Sequence, residues 1–293
     1  MLLLGEDRIM DQAQKLRQMI KDEPTDIKKP RIITVTSGKG GVGKSNVVVN
    51  LDILLQKFGK KVMIFDADIG MSNDDVLMGF LPKYNIFDII LNNKDIEEVI
   101  IEGPYGVKLL PGGSGLSKVG DLDKEDIEKV VYELEKINDL DFIIIDTGAG
   151  INRSVLGFIA CCDELIIVTT PEPTSLTDAY CLLKAVNHFN LKSAAKIIIN
   201  RVNDDREGTM TYSKFSKAVN AFLKIDIEYL GCIYEDRKLV QAVKSQQPLV
   251  TAFPTSEAAK SIENIAKSLI GNTTNIESIG IKGLFRKILN NFS

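Results

Sequence analysis

The β-branched, apolar segment Arg31–Thr36 passes through Ser37 into Gly38-Lys39-Gly40-Gly41-Val42-Gly43-Lys44-Ser45, and the chain continues at helical spacing to residue 58. A strand that feeds a glycine-rich turn and opens a helix leaves few architectures open. The turn must lie at the carboxyl end of a strand, and the helix must cross back over the sheet to a parallel neighbour. The spacing G-x-x-x-x-G-K-S is that of a phosphate-binding loop. Its glycines let the backbone approach closely, and its N–H groups converge at a helix N-terminus. Lys44 then reaches the β- and γ-phosphates of a bound nucleotide, and the Ser45 hydroxyl is placed to ligate Mg²⁺. A glycine-rich turn without a ligand is the competing reading; the strand before it and the helix after it argue against that.

The alternation continues down the chain. Strands are expected over 31–36, 61–66, 107–110, 141–146, 164–170, 196–202 and 228–233, and helices over 44–58, 123–137, 174–189, 210–223 and 255–270. Phe142-Ile143-Ile144-Ile145 and Leu165-Ile166-Ile167-Val168 are continuous apolar runs, as strands covered on both faces require. The fold class is α/β: a doubly wound, mostly parallel sheet with helices on both faces. Residues 1–30 read as an N-terminal arm, 31–270 as the nucleotide-binding domain, 271–278 as a polar linker and 279–293 as a terminal helix.

Composition narrows the function classes. With 44% hydrophobic and 26% charged residues, a disordered acidic chain is excluded. Net charge is −4, which gives no bulk support for binding duplex nucleic acid directly. The four cysteines, Cys161, Cys162, Cys181 and Cys232, form no CxxC pair, and His188 is the sole histidine. Reduced thiols of a cytoplasmic protein are the plain reading, and His188 reads as a helix-surface or packing residue. An iron–sulfur carrier would need better placed cysteines. No run approaches the length of a membrane span, and the first residues lack a signal peptide's pattern.

Two acidic strand ends face the phosphate loop: Asp66-Ala67-Asp68 and Asp146-Thr147-Gly148. Ligands sit outside the carboxyl ends of strands in such sheets. Asp146 suits the role of holding Mg²⁺, with helix capping or turn formation as the alternative for both acids. Asn200-Arg201 and Tyr234-Glu235-Asp236 follow two later strands.

The loop's early lysine, Lys39, makes KGGVGK, the deviant phosphate loop of the MinD/ParA class of ATPases, which this chain resembles over residues 31–270. The resemblance implies ATP and Mg²⁺ as cofactors, a homodimer with nucleotide sandwiched between protomers, and slow regulatory hydrolysis. It implies that Lys39 reaches the partner protomer's phosphates, that Lys44 and Asp68 are catalytic, and that Asp68 orients the attacking water. Gly38 to Ser45 with Asn46 would bind phosphates, while Asn200, Arg201, Glu235 and Asp236 would flank the base. Tyr234 stands where the family often has proline, which could alter how the base is covered.

Finer motifs resemble the FlhG (YlxH/FleN) branch, whose members regulate flagellar number. They include Asp66-Ala67-Asp68-Ile69-Gly70, Asp146-Thr147-Gly148-Ala149-Gly150, and Thr169-Thr170-Pro171-Glu172-Pro173-Thr174-Ser175. The arm carries Asp11-Gln12-Ala13-Gln14-Lys15-Leu16-Arg17, similar to the DQAxxLR element by which that branch stimulates the GTPase FlhF. By that resemblance Asp11, Gln12, Leu16 and Arg17 engage the partner. Flagellar switch proteins or a flagellar transcription factor are further partners open to such a protein. A MinD- or ParA-type division or partition ATPase is the alternative.

Ile281, Leu284, Phe285, Ile288, Leu289 and Phe292 recur at i, i+3, i+4, i+7, i+8 and i+11, with Lys282, Arg286 and Lys287 on the opposite face. A short basic helix of this kind suits an anionic membrane interface, which would place the protein at the inner face of the cell membrane. A last helix docked on the core is the alternative.

Overall fold

The computed structural model describes residues 29–68, 74–113, 124–271 and 278–292. Strands β1 (Arg31–Ser37), β2 (Val62–Ala67), β3 (Ile101–Glu102), β4 (Lys108–Pro111), β5 (Phe142–Ala149), β6 (Glu164–Thr169), β7 (Ala194–Val202) and β8 (Asp226–Tyr234) form one eight-stranded sheet, ordered β3-β4-β2-β5-β1-β6-β7-β8. Among the described strands only the short β3 pairs antiparallel. The helices are α1 (Lys44–Lys57), α2 (Asp74–Met78), α3 (Asp88–Leu91), α4 (Ile96–Val99), α5 (Lys124–Glu135), α6 (Arg153–Cys161), α7 (Pro173–His188), α8 (Asp205–Phe222), α9 (Arg237–Lys244), α10 (Leu249–Ala252), α11 (Glu257–Gly271) and α12 (Gly280–Phe292).

Side chains alternate across a strand, so each apolar run feeds two cores at once. Ile33, Ile64, Ile144 and Ile166 face α1 and α11. Ile32, Met63, Ile143 and Ile145 face α5, α6 and α12. Leu165, Ile167, Ile197 and Ile199 extend that second layer beneath α7 and α8. The chain leaves β1 for β2 on one side and leaves β5 for β6 on the other, so strand order reverses at β1. This is where a crevice opens at the carboxyl edge of a doubly wound sheet.

All seven expected strands form, with ends displaced by up to three residues. The structure adds β3 and several short helices, notably α6, which Gly157 and the neighbouring glycines obscure in the sequence. α8 starts five residues before the expected 210 because the Asp204 carboxylate accepts from the Glu207 N–H at 2.7 Å and caps the helix there.

One residue of α1 works against the fold. Asp52 is fully buried, and among the described residues neither carboxyl oxygen has a hydrogen-bond partner. Burial, reinforced by the charge of Asp146, pushes its pKa well above 3.8. A carboxyl that stays protonated in the fold but ionises when unfolded costs nothing below pH about 4 and progressively destabilises as pH rises toward the folded pKa. Asp52→Ala is therefore expected to stabilise the protein by about 1–3 kcal/mol near neutrality. Urea melts at about pH 5 and about pH 8 should show the gain growing with pH; a pH-independent gain would assign it to helix propensity instead.

In this state the terminal helix takes the docked arrangement, the alternative to a membrane interface. Rather than presenting its apolar face to the surroundings, α12 lays it on α5 and α6, with Leu284 0%, Phe285 1%, Ile288 1% and Leu289 3% exposed. Ile281 packs half-buried against the same core; the Phe292 side chain lies outside the described residues. Phe285 meets Phe65 of β2 edge-on at 5.1 Å, and Phe65 meets Phe158 of α6 at 6.0 Å. The basic face finds acids on α5: Lys282 pairs with Glu135 and Arg286 with Glu128. The Ser278 hydroxyl donates to the Pro30 carbonyl at 2.6 Å, fixing the start of the segment beside β1. The same amphipathic pattern that suits a lipid surface suits a groove between two helices, and the groove is present.

Candidate functional site

The glycine loop is shaped by what crowds it. A Cβ on Gly38 would lie 2.2 Å from the Asp178 backbone in α7, so the loop's first turn passes too close to that helix for any side chain. Gly43 caps α1 with φ of 91°, a left-handed conformation that favours glycine, and a Cβ there would meet the Asn200 amide at 2.5 Å. That amide donates to the Val42 carbonyl at 2.7 Å, and its oxygen accepts from the Arg201 N–H at 2.9 Å. Asn200 is thus a buried brace between β7 and the loop. This structural duty is one the sequence does not reveal.

At the end of the loop Lys44 and Asp146 form a buried ion pair, Nζ to Oδ1 at 2.6 Å, with side chains 8% and 2% exposed. Lys44 also lies 3.4 Å from the Ser45 hydroxyl oxygen. Burial alone would lower the Lys44 pKa; the charge and hydrogen bond of Asp146, with Asp74 and Asp68 behind it, reverse this and raise it. The ammonium therefore stays charged at neutral pH. Asp66 sits directly across from Asp146 in the β2–β5 pairing, so strand register brings the two acidic strand ends together. Asp68 follows on the rim, its Oδ1 3.3 Å from where a Gly148 Cβ would be. A half-open cavity of about 360 Å³ adjoins it, lined by Ala67, Gly148, Ala149 and Asn152 among others. The Gly150 N–H donates to the Ser37 carbonyl at 2.9 Å, which ties the β5 loop to the start of the glycine loop.

Lys39 turns away from its own site. Its ammonium meets Thr174 Oγ1 at 3.0 Å and Glu172 Oε2 at 3.3 Å, both exposed contacts. Pairs of this kind are worth no more than about 1 kcal/mol, so the side chain is readily redirected. Glu172 and Thr174 enter the site description only through the fold, which brings the end of β6 beside the loop.

At the far edge, the Glu235 N–H donates to the Val202 carbonyl at 2.9 Å, joining the ends of β7 and β8. Arg201 and Glu235 are exposed there, 3.8 Å apart. Asp236 is differently occupied: its two oxygens accept from the backbone N–H groups of Lys238 at 2.8 Å and Ala258 at 3.3 Å. Its side chain caps α9 and bridges to α11. The Tyr234 hydroxyl bonds to Asp205, which pushes its pKa up to about 12; the tyrosine is held toward α8.

Asp11, Gln12, Leu16 and Arg17 lie outside the described residues. All four cysteines are free; Cys161 and Cys162 are buried, Cys181 exposed and Cys232 intermediate. Among the described residues no three His, Cys, Asp or Glu side chains make a metal cage of their own. Mg²⁺ needs none, because it keeps waters and takes ligands from the nucleotide. The groups present fit it: a serine hydroxyl at the helix start, and buried acids beside it. When bound, the ion neutralises charge on the β- and γ-phosphates.

Comparison with known proteins shows the family. Residues 33–249 match the family described as the CobQ/CobB/MinD/ParA nucleotide binding domain. The chain is 36% identical over 240 residues to the antiactivator FleN of Pseudomonas aeruginosa, covering 82% of this chain and 86% of that one. It is 36% identical over 265 residues to the flagellum site-determining protein YlxH of Helicobacter pylori, covering 88% and 90%. The septum site-determining protein MinD of Pyrococcus horikoshii, solved with Mg-ADP, superposes with a TM-score of 0.64 at 25% identity, covering 84% of this chain and 100% of that one.

Proposed function

From the premise that the chain belongs to the MinD/ParA family of nucleotide-binding ATPases, we propose that it is a regulatory ATPase controlling flagellar number or placement, cycling between a monomer and an ATP-sandwiched homodimer. The observation that carries the reading is the division of labour between the two loop lysines. Lys44 is buried on Asp146 beside Ser45, inside its own site, whereas Lys39 points outward onto Glu172 and Thr174. An ammonium outside its own phosphate cradle is placed to serve another protomer, adding positive charge where the transition state spreads its negative charge. Asp68 on the cavity rim is the group to orient an attacking water, and Arg201 with Glu235 flanks the base.

The flagellar assignment draws on the FleN and YlxH relatives and on the arm's DQAxxLR element. FlhF GTP hydrolysis is expected to accelerate when this protein is added, and Gln12→Ala is expected to remove the acceleration while leaving ATP turnover within about twofold. The full chain and the variant are compared at equal concentration. No acceleration by an ATP-hydrolysing sample would leave the ATPase standing and turn the assignment toward a division or partition partner.

Membrane attachment belongs to the same cycle. Because α12 is docked, its apolar face reaches a lipid surface only after leaving α5 and α6. Phe285 rests on Phe65, which directly precedes Asp66, so rearrangement at the acidic strand end bears on the seat of the helix. A dimer would present two released helices, and avidity adds about 10²–10⁴ when both engage.

A further inference from the structure

Asp74 is a buried acid that the surrounding described residues give no donor. It begins α2, is fully buried, and among the described residues neither of its carboxyl oxygens receives a hydrogen bond. Its neighbour Asp75 shows what an engaged acid looks like here, accepting from the Val76 N–H at 2.7 Å. Asp74 faces another carboxyl, Asp146, with Asp66 and the Lys44 ammonium close by. Two facing carboxylates offer each other no donor, which leaves Asp74 buried and unpartnered among the described residues.

The cluster is balanced in this state by Lys44, whose ammonium sits 2.6 Å from Asp146. Nucleotide binding calls that ammonium to the phosphates. Asp146, Asp66 and Asp74, all buried, are then left without it, and a buried charge stripped of its partner is costly. A divalent cation arriving with the nucleotide replaces the lost charge. Asp146 and Ser45 already suit that ion; Asp74 is the unpartnered buried acid beside Asp146 and Lys44.

We propose that Asp74 is a further acid of the divalent-cation site, holding a water of the Mg²⁺ that accompanies the nucleotide, beside Ser45 and Asp146. It acts as a positioning residue: it fixes the ion through water and does not touch the reacting phosphate. The proposal rests on the nucleotide-site reading above and deepens it.

Mn²⁺ binding to the ADP-bound protein, read as loss of the free-ion electron paramagnetic resonance signal, tests it without turnover. Asp74→Asn and Asp74→Leu are each expected to weaken Mn²⁺ binding by about 10–100-fold, the usual effect of removing an outer partner of a metal. ADP affinity measured in EDTA should stay within about twofold, since the glycine loop is untouched. Unchanged Mn²⁺ affinity in variants that bind ADP normally would overturn the proposal. So would failure of both variants to fold, because an acid serving only the ion is dispensable to the ligand-free structure. Absence of ADP binding by the natural chain would be a failure of the nucleotide site itself and is separately visible.

Discussion

Lys44→Ala is expected to reduce ATP turnover by at least about 10²–10³-fold and to destabilise the ligand-free protein by about 3–5 kcal/mol. The two effects have one cause. Lys44 pairs with Asp146 where both side chains are almost completely buried, so deleting the ammonium strands a carboxylate in low dielectric next to Asp74 and Asp66. Breaking such a pair from one side is far worse than never having it. Lys39→Ala separates the two effects. Its contacts to Glu172 and Thr174 are exposed, so stability should change by less than about 1 kcal/mol, while turnover falls by about 10³-fold as for loss of a charge supplied in trans. Urea unfolding and phosphate release on the same samples check both. Equal stability losses in the two variants would show that the buried pair is not what holds this end of the sheet. The raised Lys44 pKa adds a sign: its contribution is fully present below about pH 10.5 and is lost only as pH climbs through the higher folded value.

Val130→Asp is expected to release α12 without altering any residue of that helix. Val130 is buried on α5 beneath Phe285, Ile288 and Leu289. A carboxylate there has no partner and no water, a burial that costs several kcal/mol unless the covering helix leaves. Release exposes the whole apolar stripe. Amide exchange across 280–292 should accelerate, and co-sedimentation with anionic vesicles should rise by about tenfold or more without nucleotide. A chain ending at Gly271 should not sediment under any condition. If Val130→Asp frees the helix by exchange but vesicle binding does not change, α12 is a structural strap and not a membrane device. The acids Glu128 and Glu135 refine the test. Reversing them weakens only exposed pairs, each worth about 1 kcal/mol or less, so the effect should be in the same direction and much smaller.

The strands were legible because apolar runs such as Phe142–Ile145 can be covered only from both faces, and that condition is local. α6 was not legible, since nine residues containing Gly157 carry little periodicity; it forms because Asn152 caps it, accepting from the Val155 N–H at 2.9 Å, and because Phe158 finds Phe65. Asp52 left a readable trace, a lone acid inside Val47–Leu55, but its sequence alone does not say that no partner awaits it. Asp74 left none, because in a sequence a pair of acids at a helix start reads as an ordinary solvated first turn.

What the sequence determined by itself is the chemistry of the loop: Gly38 to Ser45 specify a phosphate cradle through spacing within one turn, and Asp66 and Asp146 lie at the ends of recognisable strands. The tertiary structure decided three other things. It set Asp66 beside Asp146 through strand register, it turned Asn200 into a brace for the glycine loop, and it covered the apolar face of α12 with α5 and α6. The division has a physical reason. Hydrogen-bonding turns and side-chain periodicity are set by neighbours along the chain, whereas desolvation depends on which surfaces arrive from far away. An amphipathic stripe states that it will be buried; only the folded chain supplies the surface that buries it.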